Sequence, residues 1–201
     1  APRRRVFAGV ADSATQPLVV TSTSNVGILA GGVSKQLRGG TKPSLSAVGP
    51  SASYMAFKAV IIAETYLRKE RQGKIGHLAV VPEKTSLTTL VSPETFGLLL
   101  HVVEVQALEF PERPDLFSAQ NTNVGRLAKV VANALESADA VTIGSMGAQA
   151  ASNVLKATLI AQAFMAEALG ENGKLAIVPR YGTFDFHGEE RRRMLLKCVK
   201  V

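Results

Sequence analysis

The stretch Asn25-Val26-Gly27-Ile28-Leu29-Ala30 returns 98 residues later as Asn123-Val124-Gly125-Arg126-Leu127-Ala128. Further matches keep this offset or differ from it by one or two residues: Gly49 with Gly147, Lys58-Ala59 with Lys156-Ala157, Gly76–Pro82 with Gly173–Pro179, and Leu99–Val105 with Leu195–Val201. Self-similarity maintained over such a length indicates a duplicated structural unit. The chain is therefore predicted to be a tandem repeat.

The repeat divides the chain into segments. We predict a basic N-terminal extension at 1–16, a first repeat at 17–106, a linker at 107–114 and a second repeat at 115–201. The linker reads Ala-Leu-Glu-Phe-Pro-Glu-Arg-Pro, and its prolines and charged residues interrupt both strand and helix patterns.

Each repeat is predicted to follow the order β-α-β-α-β-β. Asn25 and Asn123 suit the N-cap position, and each precedes apolar residues at helical spacing, over 26–37 and 124–136. Alanine-rich stretches without helix breakers predict second helices at about 51–70 and 148–169. Short apolar runs predict strands at 18–20, 44–48, 78–81 and 98–105, and at 116–117, 140–143, 175–178 and 194–201.

This order predicts an α/β fold of the α+β sandwich type. Each repeat is expected to form a four-stranded mixed sheet with both helices on one face, leaving the other face for solvent or a partner. Two such units in one chain resemble a homodimer fused into a single polypeptide, with further oligomerisation left open. The repeats are expected to pack through their long helices or by joining sheet edges, and the sequence does not choose between these.

Composition narrows the class of protein. The chain has 201 residues, of which 46% are hydrophobic and 19% charged, which is typical of a globular protein. One cysteine, Cys198, excludes an intramolecular disulfide framework and a multi-cysteine zinc site. Because no apolar run is long enough to span a bilayer, we expect a soluble protein with no membrane partner.

The charge is basic and uneven. Lys and Arg number 23 against 16 Asp and Glu, and the net charge is +7, of which residues 1–106 contribute +6. A basic protein has polyanions as its first expected partners.

The opening Ala-Pro-Arg-Arg-Arg fits the end of a processed organellar transit segment, although Met removal before Ala also accounts for it. We expect an organellar location, mitochondrion or plastid, with the cytoplasm as the alternative.

Several motifs of the second repeat occur together and in order: Asn123-Val124-Gly125, Gly144-Ser145-Met146-Gly147-Ala148, Lys156-Ala157, Ile177-Val178-Pro179 and Gly188-Glu189-Glu190-Arg191. With them, this repeat resembles the bacterial stage V sporulation protein S family. The first repeat resembles the family more weakly, because it has Ser92-Pro93-Glu94-Thr95 in place of Gly188–Arg191. The family is similar in fold to Alba, an archaeal chromatin and RNA-binding protein, and to the C-terminal domain of translation initiation factor three.

The resemblance implies a nucleic-acid-binding module that works as a dimer. In Alba-like proteins the binding surface comes from basic residues at helix starts and from the hairpin between the third and fourth strands. Carried over by motif, the implied binding residues are Lys58, Lys156, Arg126, Lys129, Arg180, His187, Arg191, Arg192 and Arg193.

The residues themselves allow two interpretations of this hairpin. Tyr181, Phe184 and Phe186 alternate with arginines, so rings are able to stack on bases while guanidinium groups hold phosphates. Alternatively, the phenylalanines cover the sheet, and Glu189 and Glu190 neutralise two arginines. The paired lysines in the long helices have the same ambiguity, since a lysine in an apolar stretch reaches either an anion or solvent.

Other chemistries lack support in the sequence. No Gly-x-x-x-x-Gly-Lys-Ser/Thr loop occurs, and His77, His101 and His187 lack metal-ligand spacing, so no cofactor, metal or catalytic residue is expected.

The leading hypothesis is a non-enzymatic nucleic-acid-binding protein, with RNA preferred to DNA, inside an organellar ribonucleoprotein such as a ribosome, together with protein partners. The alternative is a scaffold that makes mainly protein contacts. In a third hypothesis the first repeat only supports dimerisation, although its charge argues against this.

Overall fold

The computed structural model describes residues 16–73, 76–85 and 97–201. The first repeat contains β1 (Leu18–Val20), α1 (Val26–Arg38), β2 (Ser44–Val48), α2 (Gly49–Glu70), β3 (His77–Lys84) and β4 (Gly97–Val105). The second contains β5 (Leu116–Ser118), α3 (Val124–Ser137), β6 (Ala140–Ser145), α4 (Ala148–Phe164), α5 (Ala166–Leu169), β7 (Leu175–Phe186) and β8 (Glu189–Lys200). Most of the N-terminal extension, 1–15, and the hairpin segment Ser92–Thr95 lie outside the described residues.

The equivalent asparagines cap equivalent helices, as predicted. The side-chain oxygen of Asn25 accepts a hydrogen bond from the Ile28 backbone N–H at 3.1 Å, and that of Asn123 accepts from Arg126 at 2.9 Å. Each cap satisfies a backbone donor that has no partner within the helix.

The structure divides the predicted helix over 148–169 into two helices. Met165, at φ −96° and ψ 7°, leaves helical geometry and separates α4 from the single turn α5.

The eight strands within the described residues join one mixed sheet in the order β1-β2-β4-β3-β7-β8-β6-β5, which confirms the predicted fold class. The repeats meet where β3 and β7 pair antiparallel, with Val80 opposite Ile177. These two residues are equivalent in the repeat, so a pseudo-twofold axis passes between them. Helices α2 and α4 also pack on each other, and the protein therefore uses both of the predicted modes of association.

Beside this axis, a helix side chain of each repeat accepts a hydrogen bond from a backbone N–H near the start of the adjacent strand. Glu64 on α2 accepts a hydrogen bond from the Leu78 N–H at 2.8 Å. Its repeat equivalent on α4, Gln162, accepts from the Leu175 N–H at 2.9 Å. Buried backbone donors require such partners, and the duplication supplies the same solution twice.

The main core lies between the sheet and the helix layer. Phe57, Leu45, Leu100, Leu155 and Ile177 are among its fully buried side chains. The opposite face of the sheet, here called the open face, has a smaller apolar cluster around Ala79, Ala176 and Val178.

Strands β7 and β8 are much longer than predicted. The hairpin is paired along its whole length, from Leu175 opposite Lys200 to Phe186 opposite Glu189. His187 and Gly188 form its two-residue turn at φ 55° and 82°, and positive φ at both positions is the signature of a type I′ turn. Among the described strands, residues 182–193 pair only with each other. We call this segment the arm.

Residues 106–114, which connect the repeats and which we call the strap, cross the open face. The connection has to run from β4, inside the sheet, to β5 at its far edge. On the way, the Leu108 carbonyl contacts His77 of β3, and the Glu112 carbonyl contacts Arg193 of β8. The open face, predicted to be left for solvent or a partner, is therefore partly covered by the chain itself.

Candidate nucleic-acid interface

The arm separates its charges along its length. Asp185, Glu189 and Glu190 lie near the turn, whereas Arg191, Arg192 and Arg193 lie where the arm joins the sheet. The three acids and three arginines cancel in number. The base of the arm is therefore cationic and its tip is anionic.

Rings and guanidinium groups alternate on one side of the arm. The Arg191 guanidinium lies 4.7 Å from the centre of the Phe186 ring, and the Arg193 guanidinium lies 5.0 Å from that of Phe184. Arg191 also pairs with Glu189 at 3.1 Å. Since Phe186 remains 44% exposed, one aromatic surface is accessible beside an arginine. Both interpretations of the hairpin thus describe part of the arrangement.

Arg193 is the most enclosed of the three arginines. Its guanidinium lies 5.8 Å from the centre of the Phe117 ring on β5, in addition to Phe184, and it donates to the Glu112 carbonyl at 2.8 Å. Its Nε is buried without a hydrogen-bond partner among the described residues. Arg193 therefore ties the arm to the strap and to β5.

On the other side of β7, Tyr181, which directly precedes the arm, neighbours the first repeat. Burial raises the pKa of Tyr181; nearby Tyr54 of α2 raises it further, and Arg192 lowers it. The Lys58 amine lies 4.7 Å from the centre of the Tyr54 ring. Lys58 of the first repeat therefore contacts Tyr54, and Tyr54 neighbours Tyr181 of the second repeat, next to the arm.

Two more cations lie on the open face beside the arm. Arg180 and Lys197 each lie 5.4 Å from the centre of the Phe110 ring of the strap. The Lys197 amine also donates to the carbonyl oxygen of Glu109. The cationic base of the arm consists of five residues: Arg180, Arg191, Arg192, Arg193 and Lys197.

The remaining predicted residues are more dispersed. His187 forms the turn at the tip, where its ring lies 4.5 Å from that of Phe186. Lys156 is half-buried on α4. Arg126 and Lys129 are exposed on α3. Strands β5 and β6 end at Ser118 and Ser145, and Ser145 pairs with Met194, the residue that follows the arm. Helix α3 therefore begins at the end of the sheet from which the arm extends. The structure gives Arg126 and Lys129 no place in the base of the arm.

The sequence analysis did not identify three residues of the candidate interface: Lys197, Phe110 and Tyr54. Lys197 was detectable, because it follows Arg191 and Arg193 on the same side of β8 at the strand period of two. Phe110 had no sequence signal, since its position depends on the path of the strap. Tyr54 had none either, because it meets the arm only through the association of the repeats.

The described residues contain neither a membrane-spanning helix nor a metal-binding cluster. Within the described ranges, no helix combines the length and hydrophobicity that crossing a membrane requires. In the same part of the chain, His, Cys, Asp and Glu side chains form no group of three or more that would hold a metal ion.

Comparison with known proteins places the chain in a family. The family model described as Stage V sporulation protein S (SpoVS) matches residues 16–89 and 116–201, one segment in each repeat. No curated protein matches the chain. Because the two segments together cover well over half of the sequence, and each coincides with one copy of the duplicated unit, the protein belongs to the SpoVS family as a tandem duplication.

Proposed function

We propose that this protein binds nucleic acid, without catalysis, through the cationic base of its arm. The observation that carries the proposal is the clustering of Arg180, Arg191, Arg193 and Lys197 on one side of the hairpin. The Phe186 ring on the same side is 44% exposed. Guanidinium groups bind phosphate oxygens with little regard to sequence, and the rings offer stacking surfaces to bases. The acidic tip argues against a deep insertion of the arm into a groove, and favours a strand that lies across the base.

The proposal favours RNA over DNA. Exposed rings such as Phe186 stack only on bases whose faces are free, and unpaired bases are abundant in RNA loops and ends. A place in an organellar ribonucleoprotein such as a ribosome is part of the proposal. Co-sedimentation of the native protein with ribosomal particles supports it, whereas co-sedimentation with nucleoids shifts the polymer to DNA.

The direct test removes two exposed arginines that make no contact with the strap. Arg191→Ala with Arg192→Ala is expected to weaken binding to a single-stranded RNA about tenfold, and to reduce the salt slope by about 1.4 for two lost phosphate contacts. The matched control, Lys35→Ala with Lys69→Ala, removes the same charge from exposed helix positions. Equal losses in the two double variants, or no binding by the wild type, reject the proposal.

The alternative is a scaffold that makes mainly protein contacts. It is favoured by exposed apolar side chains, among them Ile28 at 75%, Val19 at 71% and Phe164 at 60% exposure. Copurification of protein partners that survives nuclease treatment, combined with no oligonucleotide binding at physiological salt, selects this function over the first.

A further inference from the structure

The strap makes contacts with the open face that resemble those of a nucleic-acid strand. Its Glu109 and Glu112 carbonyl oxygens accept hydrogen bonds from Lys197 and Arg193. Phosphate oxygens bind the same donors, more strongly because they are charged. Three of the five cations at the base of the arm, Arg180, Arg193 and Lys197, thus face the strap rather than solvent alone.

The Phe110 ring of the strap occupies a position that a stacked base would occupy. It lies 5.4 Å from both the Arg180 guanidinium and the Lys197 amine, as a stacked base would lie beside cations. The side chains of Glu109 and Glu112 outnumber the single cation Arg113, so the strap has a net charge of −1 where it crosses a cationic surface. The strap therefore combines oxygen acceptors, a ring and acidic side chains where the proposed ligand would offer phosphates and bases.

A few contacts hold the strap in place. The His77 ring lies between two acceptors, with Nδ1 2.9 Å from Glu64 and Nε2 3.1 Å from the Leu108 carbonyl oxygen. The edge of this ring also meets Phe110, at 5.8 Å between ring centres. Leu108 and Phe110 are only half-buried, so a small apolar area keeps this part of the strap on the sheet.

We propose that Arg180, Arg193 and Lys197 form a second polyanion-binding surface on the open face, and that the strap occupies this surface and competes for it with nucleic acid. The inference rests on the proposed function, which it deepens by assigning the regulation of the same site. With the strap in place, a strand binds the exposed arginines Arg191 and Arg192. With the strap displaced, the strand also reaches the three cations that contact the strap.

The first experiment loosens the strap and measures binding to a single-stranded RNA across a salt series. Phe110→Ala is expected to tighten binding about tenfold at low salt and to steepen the salt slope by about 2, because three further cations meet phosphates. The matched control Phe164→Ala removes an exposed ring from α4 and is expected to change neither quantity. Unchanged or weaker binding by a folded Phe110→Ala variant overturns the proposal.

The second experiment needs no variant and stays informative if Phe110→Ala fails to fold. Glutamyl endopeptidase cleaves after Glu109 and Glu112 in the strap, and after the exposed Glu171 as an internal control. Saturating single-stranded RNA is expected to accelerate strap cleavage about fivefold or more relative to Glu171, because displacement frees the strap. Unchanged cleavage, or protection of the strap, overturns the proposal.

The two proposals fail in different ways. If the Arg191 and Arg192 variant loses binding while Phe110→Ala leaves affinity and salt slope unchanged, the arm binds nucleic acid and the strap does not compete. If the wild type binds no oligonucleotide in the first place, the proposed function itself is rejected.

Discussion

Close backbone contacts explain why glycine precedes β3 and β7 at equivalent positions. A Cβ atom on Gly76 would lie 1.7 Å from the Val105 carbonyl oxygen, and one on Gly173 would lie 2.2 Å from that of Leu169. Backbone atoms do not move aside as flexible side chains do. At these two places the repeated sequence motif therefore records a steric requirement of the fold.

Gly76→Ala is expected to destabilise the protein by about 3 kcal/mol, at the upper end of the range for overpacking. In contrast, Gly31→Ala within α1 is expected to stabilise it by about 0.5–1 kcal/mol, since no atom lies within 4 Å of the new methyl group. Urea unfolding of both variants measures the two values. The same sign of change in both would contradict the steric explanation.

Cys198 lies in the core, where burial raises the pKa of its thiol from 9.0 to about 11 despite a hydrogen bond with Thr158. The folded state thus favours the protonated thiol. This contribution to stability is complete below pH 9 and is lost as the pH rises toward 11. Relative to Cys198→Ala, the wild type is expected to lose about 2 kcal/mol of unfolding free energy between pH 8 and pH 10.5. A constant difference between the two proteins across this range disproves the assignment.

At the scale of elements, the arm is a hairpin that holds its shape through its own cross-strand pairs and its turn. Its aromatic rings and arginines alternate because successive residues of a strand point to opposite sides. Arg191 and Arg193 therefore share one side with Phe184 and Phe186, whereas Arg192 faces Tyr181 and the first repeat. Three consecutive arginines therefore place positive charge on both sides of the arm.

Gly188→Val tests whether the geometry of the arm matters apart from its charge. Gly188 has φ 82°, a conformation that a β-branched residue strongly disfavours. We expect faster amide exchange throughout the arm and RNA binding several-fold weaker, with little change in the melting temperature of the sheet. Gly188→Asn is the control, because asparagine tolerates positive φ. Wild-type affinity in a valine variant with a frayed arm would show that charge alone is sufficient.

At the scale of the whole molecule, the duplication builds a symmetric interface within one chain. Val80 pairs with its own equivalent, Ile177, and α2 packs on α4. An interface that joins equivalent surfaces is self-complementary, so one repeat contains the information for both sides.

The isolated second repeat, 115–201, is therefore expected to form a homodimer through β7 and α4, with a dissociation constant in the micromolar range or tighter. Sedimentation equilibrium measures its mass as a function of concentration. Ile177→Lys places a charge at the centre of the joined sheet and is expected to give monomers. A folded wild-type repeat that stays monomeric at high concentration would refute the self-complementary interface.

Local patterns were sufficient to predict the element order, the asparagine caps, the helix faces and the arginine cluster of the second repeat. Each depends on residues that are neighbours in sequence, where hydrophobic period and capping chemistry act directly. The arm was only partly predictable, because its polar residues hide the strand period that its backbone pairs enforce.

The path of the strap and the composition of the cationic base were decided by tertiary structure alone. Phe110 reaches Arg180 and Lys197 because β3 and β7 join the sheets and leave β4 and β5 far apart, so the connecting segment must cross the open face. Lys58 and Tyr54 approach the arm because α2 crosses the junction onto the other repeat. Contacts between residues so distant in sequence depend on how the two units associate, and no local pattern encodes that geometry.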